Sequence, residues 1–168
     1  MNEHELQVLL DKQAIIEVIY TYCRALDRMD RDLASTLWHD DGTADWGPMF
    51  QGSGKGFIDW VWEQHAAMDR HSHQITNILI EVDGDTATSE AYVIATIRTR
   101  GDDAPAVDII PHGRYLDRWS RRGGRWAIDH RQFVDDLTIL MPVADDSTAW
   151  TAASTSRRDR DDPSYAYL

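Results

Sequence analysis

Hydrophobic positions in the first thirty residues recur at helical spacing. At roughly 100° per residue, Leu6, Leu9, Ile16, Ile19, Tyr20, Cys23 and Leu26 share one broad apolar arc, with Lys12 inside it. Glu17, Thr21, Arg24 and Arg28 fall on a more polar side. This predicts one long helix over residues 3–28. Met29 to Trp38 reads as a short second helix, ended by His39, Asp40, Asp41 and Gly42. Thr43 to Trp46 reads as a short strand, GPMFQGSGKG as a loop, and Phe57 to Met68 as a third helix.

From His71 the period changes from 3.6 to two. Strands are expected over His71–Val82, Thr86–Thr99, Ile109–Ser120 and Arg125–Leu140. Asp83-Gly84-Asp85 is a hairpin signal, and Gly101–Pro105 and Arg121–Gly124 make the next two turns. Helices first and an antiparallel meander afterwards define an α+β domain, with helices on one face of a curved sheet. Beyond Pro142 the chain is rich in Ser, Thr, Ala and charge. The expected organisation is one domain over residues 1–143 and a tail over 144–168 with little structure of its own. Trp150, Tyr165 and Tyr167 are its candidate anchors on the domain or a neighbouring subunit, and RRDRDD is read as solvated.

Composition narrows the function classes. With 168 residues the chain can bury one real core. A formal net charge of -12 argues against nucleic acid and against an anionic membrane surface as partners. The single cysteine, Cys23, can form no internal disulfide, which suits a reducing compartment. The opening MNEHELQ has no basic stretch leading into an apolar one, and no apolar run reaches bilayer length. The expected setting is the cytoplasm.

Asp27 is the first candidate for chemistry. It projects from near the centre of the apolar arc, almost in line with Ile16 and Tyr20. A carboxylate there must be paired, hydrogen-bonded or shifted in pKa, as catalytic acids and bases often are. A capping or Arg-paired Asp at a helix end fits the same pattern. On SHQITNILIEV, alternation puts His73, Ile75, Asn77 and Leu79 on one face. If that face meets the helices, His73 and Asp27 can touch, and a carboxylate-held imidazole is a better general base. A core histidine satisfied by backbone is the structural alternative. Small residues on the partner strand (Ala87, Ser89, Ala91, Val93 and Ala95) leave either room for a ligand or close helix packing. Arg131 is a candidate fixed cation for a leaving anion, or an ion-pair partner of Asp129, Asp135 or Asp136.

Two weaker patterns also occur. His71 and His73 form H-x-H on one strand face, a spacing that chelates metals, with Asp69 or His112 as possible third ligands. No tight ligand cluster follows in sequence, so no metal is expected. GSGKG at 52–56 lacks phosphate-loop spacing and is read as a flexible loop.

The chain resembles the SnoaL-like branch of the NTF2-like superfamily, cone-shaped α+β folds. The resemblance rests on YCRALDRMD, on His73 to Asn77, on the IEVDGDTATSEAY hairpin and on residues 113–131. It covers most of residues 8–135. Within that superfamily it is most similar to the cofactor-free lyases: scytalone dehydratase, hexachlorocyclohexane dehydrochlorinase and bile-acid 7α-dehydratase. The resemblance implies an Asp27–His73 dyad, no cofactor, and roles for Trp46 and Arg131. It places Tyr22, roughly 140° from Asp27 on an ideal helix, at the site, and His112 as a candidate second histidine. Tyr20, Trp46, Asn77 and His112 are the expected substrate-binding residues, beside Asp27, His73, Arg131 and Tyr22 as catalytic ones. The implied function is a lyase removing water, HX or a small aldehyde from a small, largely apolar ring compound. The superfamily also contains isomerases and cyclases, in which Asp27 itself would shuttle the proton, and non-catalytic assembly subunits. A homo-oligomer, dimer or trimer, is implied by the resemblance as well.

Overall fold

In a computed structural model, residues 2–99, 105–143 and 156–168 are described. The expected Gly101–Pro105 turn (apart from Pro105) and Trp150 lie outside them. Helix α1 spans Glu3–Asp27 and opens on a capping box, in which Asn2 and Glu5 each accept the other's backbone N–H. Helix α2 spans Arg31–Thr36, capped by the Asp30 side chain on Leu33 N. Strand β1 (Trp38–Asp45), β2 (Gln51–Ser53) and helix α3 (Gly54–Ala66) follow. Then come β3 (Arg70–Asp83), β4 (Thr86–Arg98), β5 (Val107–Arg122) and β6 (Arg125–Pro142). The six strands form one sheet in the order β2-β1-β6-β5-β4-β3. Strands β3 to β6 are the expected meander, and β1 joins it parallel to β6. The helices cover the concave face, and the core lies between Ile15, Ile19, Tyr22 and Leu26 of α1, Phe57, Ile58 and Val61 of α3, and the sheet.

Two expected breaks between elements are corrected. His39–Gly42 does not end a helix. It lies inside β1, because Trp38 and Thr43 pair with Ile128 and His130 of β6, and that pairing overrides turn-like composition. GSGKG is not a free loop: Gly52 and Ser53 end β2, Ser53 caps α3 through Gly56 N, and Gly54 begins the helix. A Cβ on Gly54 would stand 2.5 Å from the Trp38 indole, so glycine lets α3 start flush against β1. Gly54→Ala should therefore cost about 1–3 kcal/mol by overpacking, read as a lower urea midpoint with unchanged slope.

The buried stripe of α1 is also turned from the expected arc. Ile15, Ile19, Tyr22 and Leu26 are buried, while Leu6, Leu9 and Tyr20 are exposed. The first turns of α1 project past the sheet. Their buried anchor is polar: Asp11 accepts from Trp126 Nε1 at 2.9 Å and Arg121 Nη1 at 2.8 Å.

The last thirteen residues are not an unstructured tail. Pro163–Ala166 forms a 3-10 turn, and the charged run before it is engaged with the domain. Arg158 donates to the carbonyls of His65, Met68 and Asp69 at the C-terminus of α3, where a cation also meets the negative end of the helix dipole. Asp162 pairs with Arg28 at 3.0 Å. Tyr165 donates to Asp30 at 2.8 Å and lies under Arg24. Tyr165 is thus an anchor, whereas Tyr167 is exposed.

Candidate active site

The last turn of α1 crosses the start of β3, and Asp27 meets His73 there. One carboxylate oxygen, Oδ2, accepts the His73 backbone N–H at 3.0 Å; the other, Oδ1, faces the ring Nδ1 at 2.7 Å. Two contacts to one residue fix both the ring and its tautomer: with the proton on Nδ1, Nε2 carries the lone pair. Burial pushes the Asp27 pKa up, but hydrogen bonds from His71 and His73 outweigh it and hold it at about 2. Asp27 is therefore a carboxylate throughout the working pH range.

The His73 ring borders a cavity of about 360 Å³ between α1, α3 and the sheet. Its walls are aromatic. Trp46 stacks on Phe57 at 3.9 Å between ring centroids and lies near Phe133 and Tyr115. Trp60, Val93 and Ala95 add to the apolar lining, so of the small residues of β4 only those at its far end border the space. Tyr22 also lines the cavity. Burial raises its phenol pKa, outweighing the opposing effect of the Arg131 guanidinium beside it, and keeps it protonated. The helix need not bend to bring Tyr22 in: the cavity lies beneath α1, and Asp27 approaches His73 from the side.

The other expected site residues lie elsewhere. Arg131 is fully buried behind the cavity floor, its guanidinium 4.3 Å from the ring centroids of both Tyr22 and Tyr115. Its partner is not one of the nearby acids but Asp117, directly across in the β5–β6 register, at 2.7 and 2.8 Å. Tyr20 is exposed and borders a shallow outer depression with Arg24, Asp27, His73 and Leu168. Asn77 is exposed and has φ 46° at a β-bulge between Thr76 and Ile78. The bulge flips the alternation, so Ile78 and Ile80 face the core while Leu79 is exposed. His112 is absent from the cavity wall, which β5 builds from Ile109, Pro111 and Tyr115 on the opposite face. Asn77 and His112 therefore do not reach the cavity.

In place of His112, a second imidazole reaches it from α3. His65 lines the cavity, its ring tilted against that of His71 at 4.3 Å and 5.9 Å from that of His73 between centroids. Burial foremost, and then the neighbouring His71, lower its pKa to about 2. The helical pattern around Phe57 and Val61 puts position 65 on the same face, so the signal was present in the spacing. His71 is buried too, its pKa lowered first by burial, and its Nδ1 is 3.5 Å from Asp27 Oδ1. Asp27, His71 and His73 present donor atoms within 4.8 Å of one another, the one such group among the described residues that could hold a metal ion. The third ligand in that set is Asp27, not the exposed Asp69 or the distant His112.

The buried histidines predict an acid response of stability. Their folded pKa values lie below the ordinary 6.5, so below that pH the unfolded chain takes up protons that the folded chain refuses. Stability is full above pH 6.5 and falls as pH drops, by about 1.4 kcal/mol per pH unit for each such group. Asp27 acts lower: its contribution is complete above pH 3.8 and is lost as pH falls through about 2. His65→Phe should therefore flatten the urea-unfolding free energy between pH 6 and 4.5 by about 2 kcal/mol while leaving the loss linked to Asp27 at lower pH in place.

Helices packed on a six-stranded, curved mixed sheet are the NTF2-like arrangement. The SnoaL-like domain model matches residues 7–132, and the chain belongs to that family. No curated protein matches. Among solved structures it is similar to a candidate scytalone dehydratase from Novosphingobium aromaticivorans, at 23% identity over 81% of this chain and 91% of that one, TM-score 0.71. It is also similar to a type 3 hexachlorocyclohexane dehydrochlorinase from Novosphingobium barchaimii, at 18% identity over 83% and 94%, TM-score 0.71. A protein of unknown function from Mycobacterium tuberculosis matches at 25% identity over 81% and 77%, TM-score 0.68. At the identities of the first two, the likeness is one of fold. No helix among the described residues is long and apolar enough to cross a membrane.

Proposed function

We propose that the chain is a cofactor-independent lyase acting on a small, ring-containing substrate. One observation carries this reading: Asp27 grips His73 at both backbone and ring, and the ring borders an aromatic-walled cavity. His73 takes the proton from carbon or a hydroxyl through Nε2. Asp27 balances the imidazolium, and the Tyr22 hydroxyl is a donor for the departing group or the developing oxyanion. Arg131 acts through Tyr22 and Tyr115, which it braces, rather than on the substrate. Elimination of water or a hydrogen halide is the first chemistry to test; loss of a small aldehyde would use the same base. The fold family, with dehydratase and dehydrochlorinase structures among its relatives, supports this class.

Turnover of a panel of eliminable ring compounds by wild type, Asp27→Asn and His73→Gln tests it. The lyase reading needs both variants to be inactive. If His73→Gln retains activity and Asp27→Asn does not, Asp27 shuttles the proton itself and the chain is an isomerase or cyclase. We further propose that the domain works as a homo-oligomer in the cytoplasm, and that the tail, strapped over α1 and the end of α3, steadies the dyad from outside.

A further inference from the structure

We propose that this cavity selects its substrate by charge, taking uncharged or cationic ring compounds and rejecting carboxylates and phosphates. The inference rests on the lyase reading for the location of the substrate and adds its chemical class. Among the described residues that line the cavity there is no Lys or Arg. The polar side chains that line it, the tryptophans aside, are Tyr22, Gln64, His65, His73, Tyr115, Asp135 and Thr138. One of them, Asp135, is an anion at the rim, with both its oxygens within 3.2 Å of Thr138 Oγ1. Asp27 adds a second negative charge directly behind His73.

Neighbouring cations are already engaged. Arg131 lies behind two tyrosine rings with its charge on Asp117. Arg158 lies across the carbonyls that end α3. Arg24 and Arg28 are on the outer side of α1 with the tail. The segments outside the described residues carry one Arg, Arg100, against four Asp. An anionic ligand would thus shed water in an apolar chamber, find no fixed counter-charge and face two carboxylates. A hydroxyl or ammonium group pointing at the rim instead finds an acceptor in Asp135. The aromatic walls suit a flat ring and tolerate a cation over a ring face. At about 360 Å³ the chamber is at the small end of ligand pockets, which limits the ring system to one or two rings.

Three probes of one shape separate charge from fit: 2-naphthylmethanol, 2-naphthylmethylamine and 2-naphthoate. Their affinities for the full chain at pH 7 can be read from quenching of tryptophan fluorescence, since Trp46 and Trp60 line the cavity, and confirmed by calorimetry. The alcohol should bind, the ammonium at least as tightly, and the naphthoate tenfold or more weaker than the alcohol. Asp135→Asn should narrow the alcohol-to-naphthoate ratio about threefold, and Asp135→Lys should narrow it further. Naphthoate binding as tightly as the alcohol overturns the proposal, and so does a ratio indifferent to Asp135→Lys. The lyase reading fails separately: an Asp27→Asn variant with undiminished turnover would sink the dyad and leave the charge preference standing. Absence of binding by all three probes would remove the chamber as a ring site and overturn both.

Discussion

Asp27→Asn should lower kcat by about 10³- to 10⁴-fold while the protein stays folded. The substitution changes almost no volume, so packing at the end of α1 survives. What changes is proton placement. The carboxylate accepts twice, from the His73 backbone N–H and from the ring Nδ1. An asparagine has one acceptor oxygen. If that oxygen keeps the backbone N–H, the amide NH₂ faces Nδ1 and donates to it, which forces the ring proton onto Nε2. The nitrogen at the cavity then carries a hydrogen where it needs a lone pair. The charge that would balance the imidazolium is lost as well. A wrong tautomer of this kind costs about 10⁴ in the serine protease triad. Two measurements check it. Steady-state kinetics give the rate, and ¹⁵N–¹H correlation spectra of the His73 ring report which nitrogen is protonated. Undiminished kcat in a variant whose ring had switched tautomer would show that His73 is not the base. Because Asp27 stays ionised down to about pH 2, any acid limb in the wild-type rate profile above pH 3 belongs to another group.

Much of this site was legible before any coordinates. Asp27 stood out because a carboxylate on an apolar helix face needs an explanation, and His73 because its strand begins where the helices end. Arg131, Asn77 and the tail depend on strand register or long-range contacts that local pattern does not encode. Local sequence offers Arg131 as a cation for a leaving anion or as a partner of Asp129, Asp135 or Asp136, whereas its partner, Asp117, lies across the β5–β6 ladder. Asn77 was counted into a strict alternation that a one-residue bulge breaks at that position. The tail read as solvated because a run of alternating charges has no periodicity. Its order comes from single contacts with Asp30, Arg28 and the end of α3, each far away in sequence. His65 was missed for a simpler reason. It shares a helix face with Phe57 and Val61, whereas the family resemblance points to histidines on the strands.

Arg131→Met should destabilise the fold by about 3–5 kcal/mol, the usual cost of stranding one member of a buried ion pair. For a chain of this size that corresponds to roughly 10 °C in the melting midpoint. Both side chains of the Arg131–Asp117 pair are wholly inaccessible to solvent, so the Asp117 left behind can neither be hydrated nor find another cation. Removing both charges by Arg131→Met with Asp117→Leu should recover most of the loss, since apolar replacements of a buried pair are often neutral in stability. That double variant separates two roles that a single substitution confounds. If Arg131 only closes the core, the stable double variant should keep wild-type kcat. If it braces Tyr22 and Tyr115 through its place between their rings, the double variant should fold and still turn over at least tenfold more slowly, with KM little changed. The second outcome is expected, because the buried Tyr22 phenol interacts with that cation through both its ring and its hydroxyl.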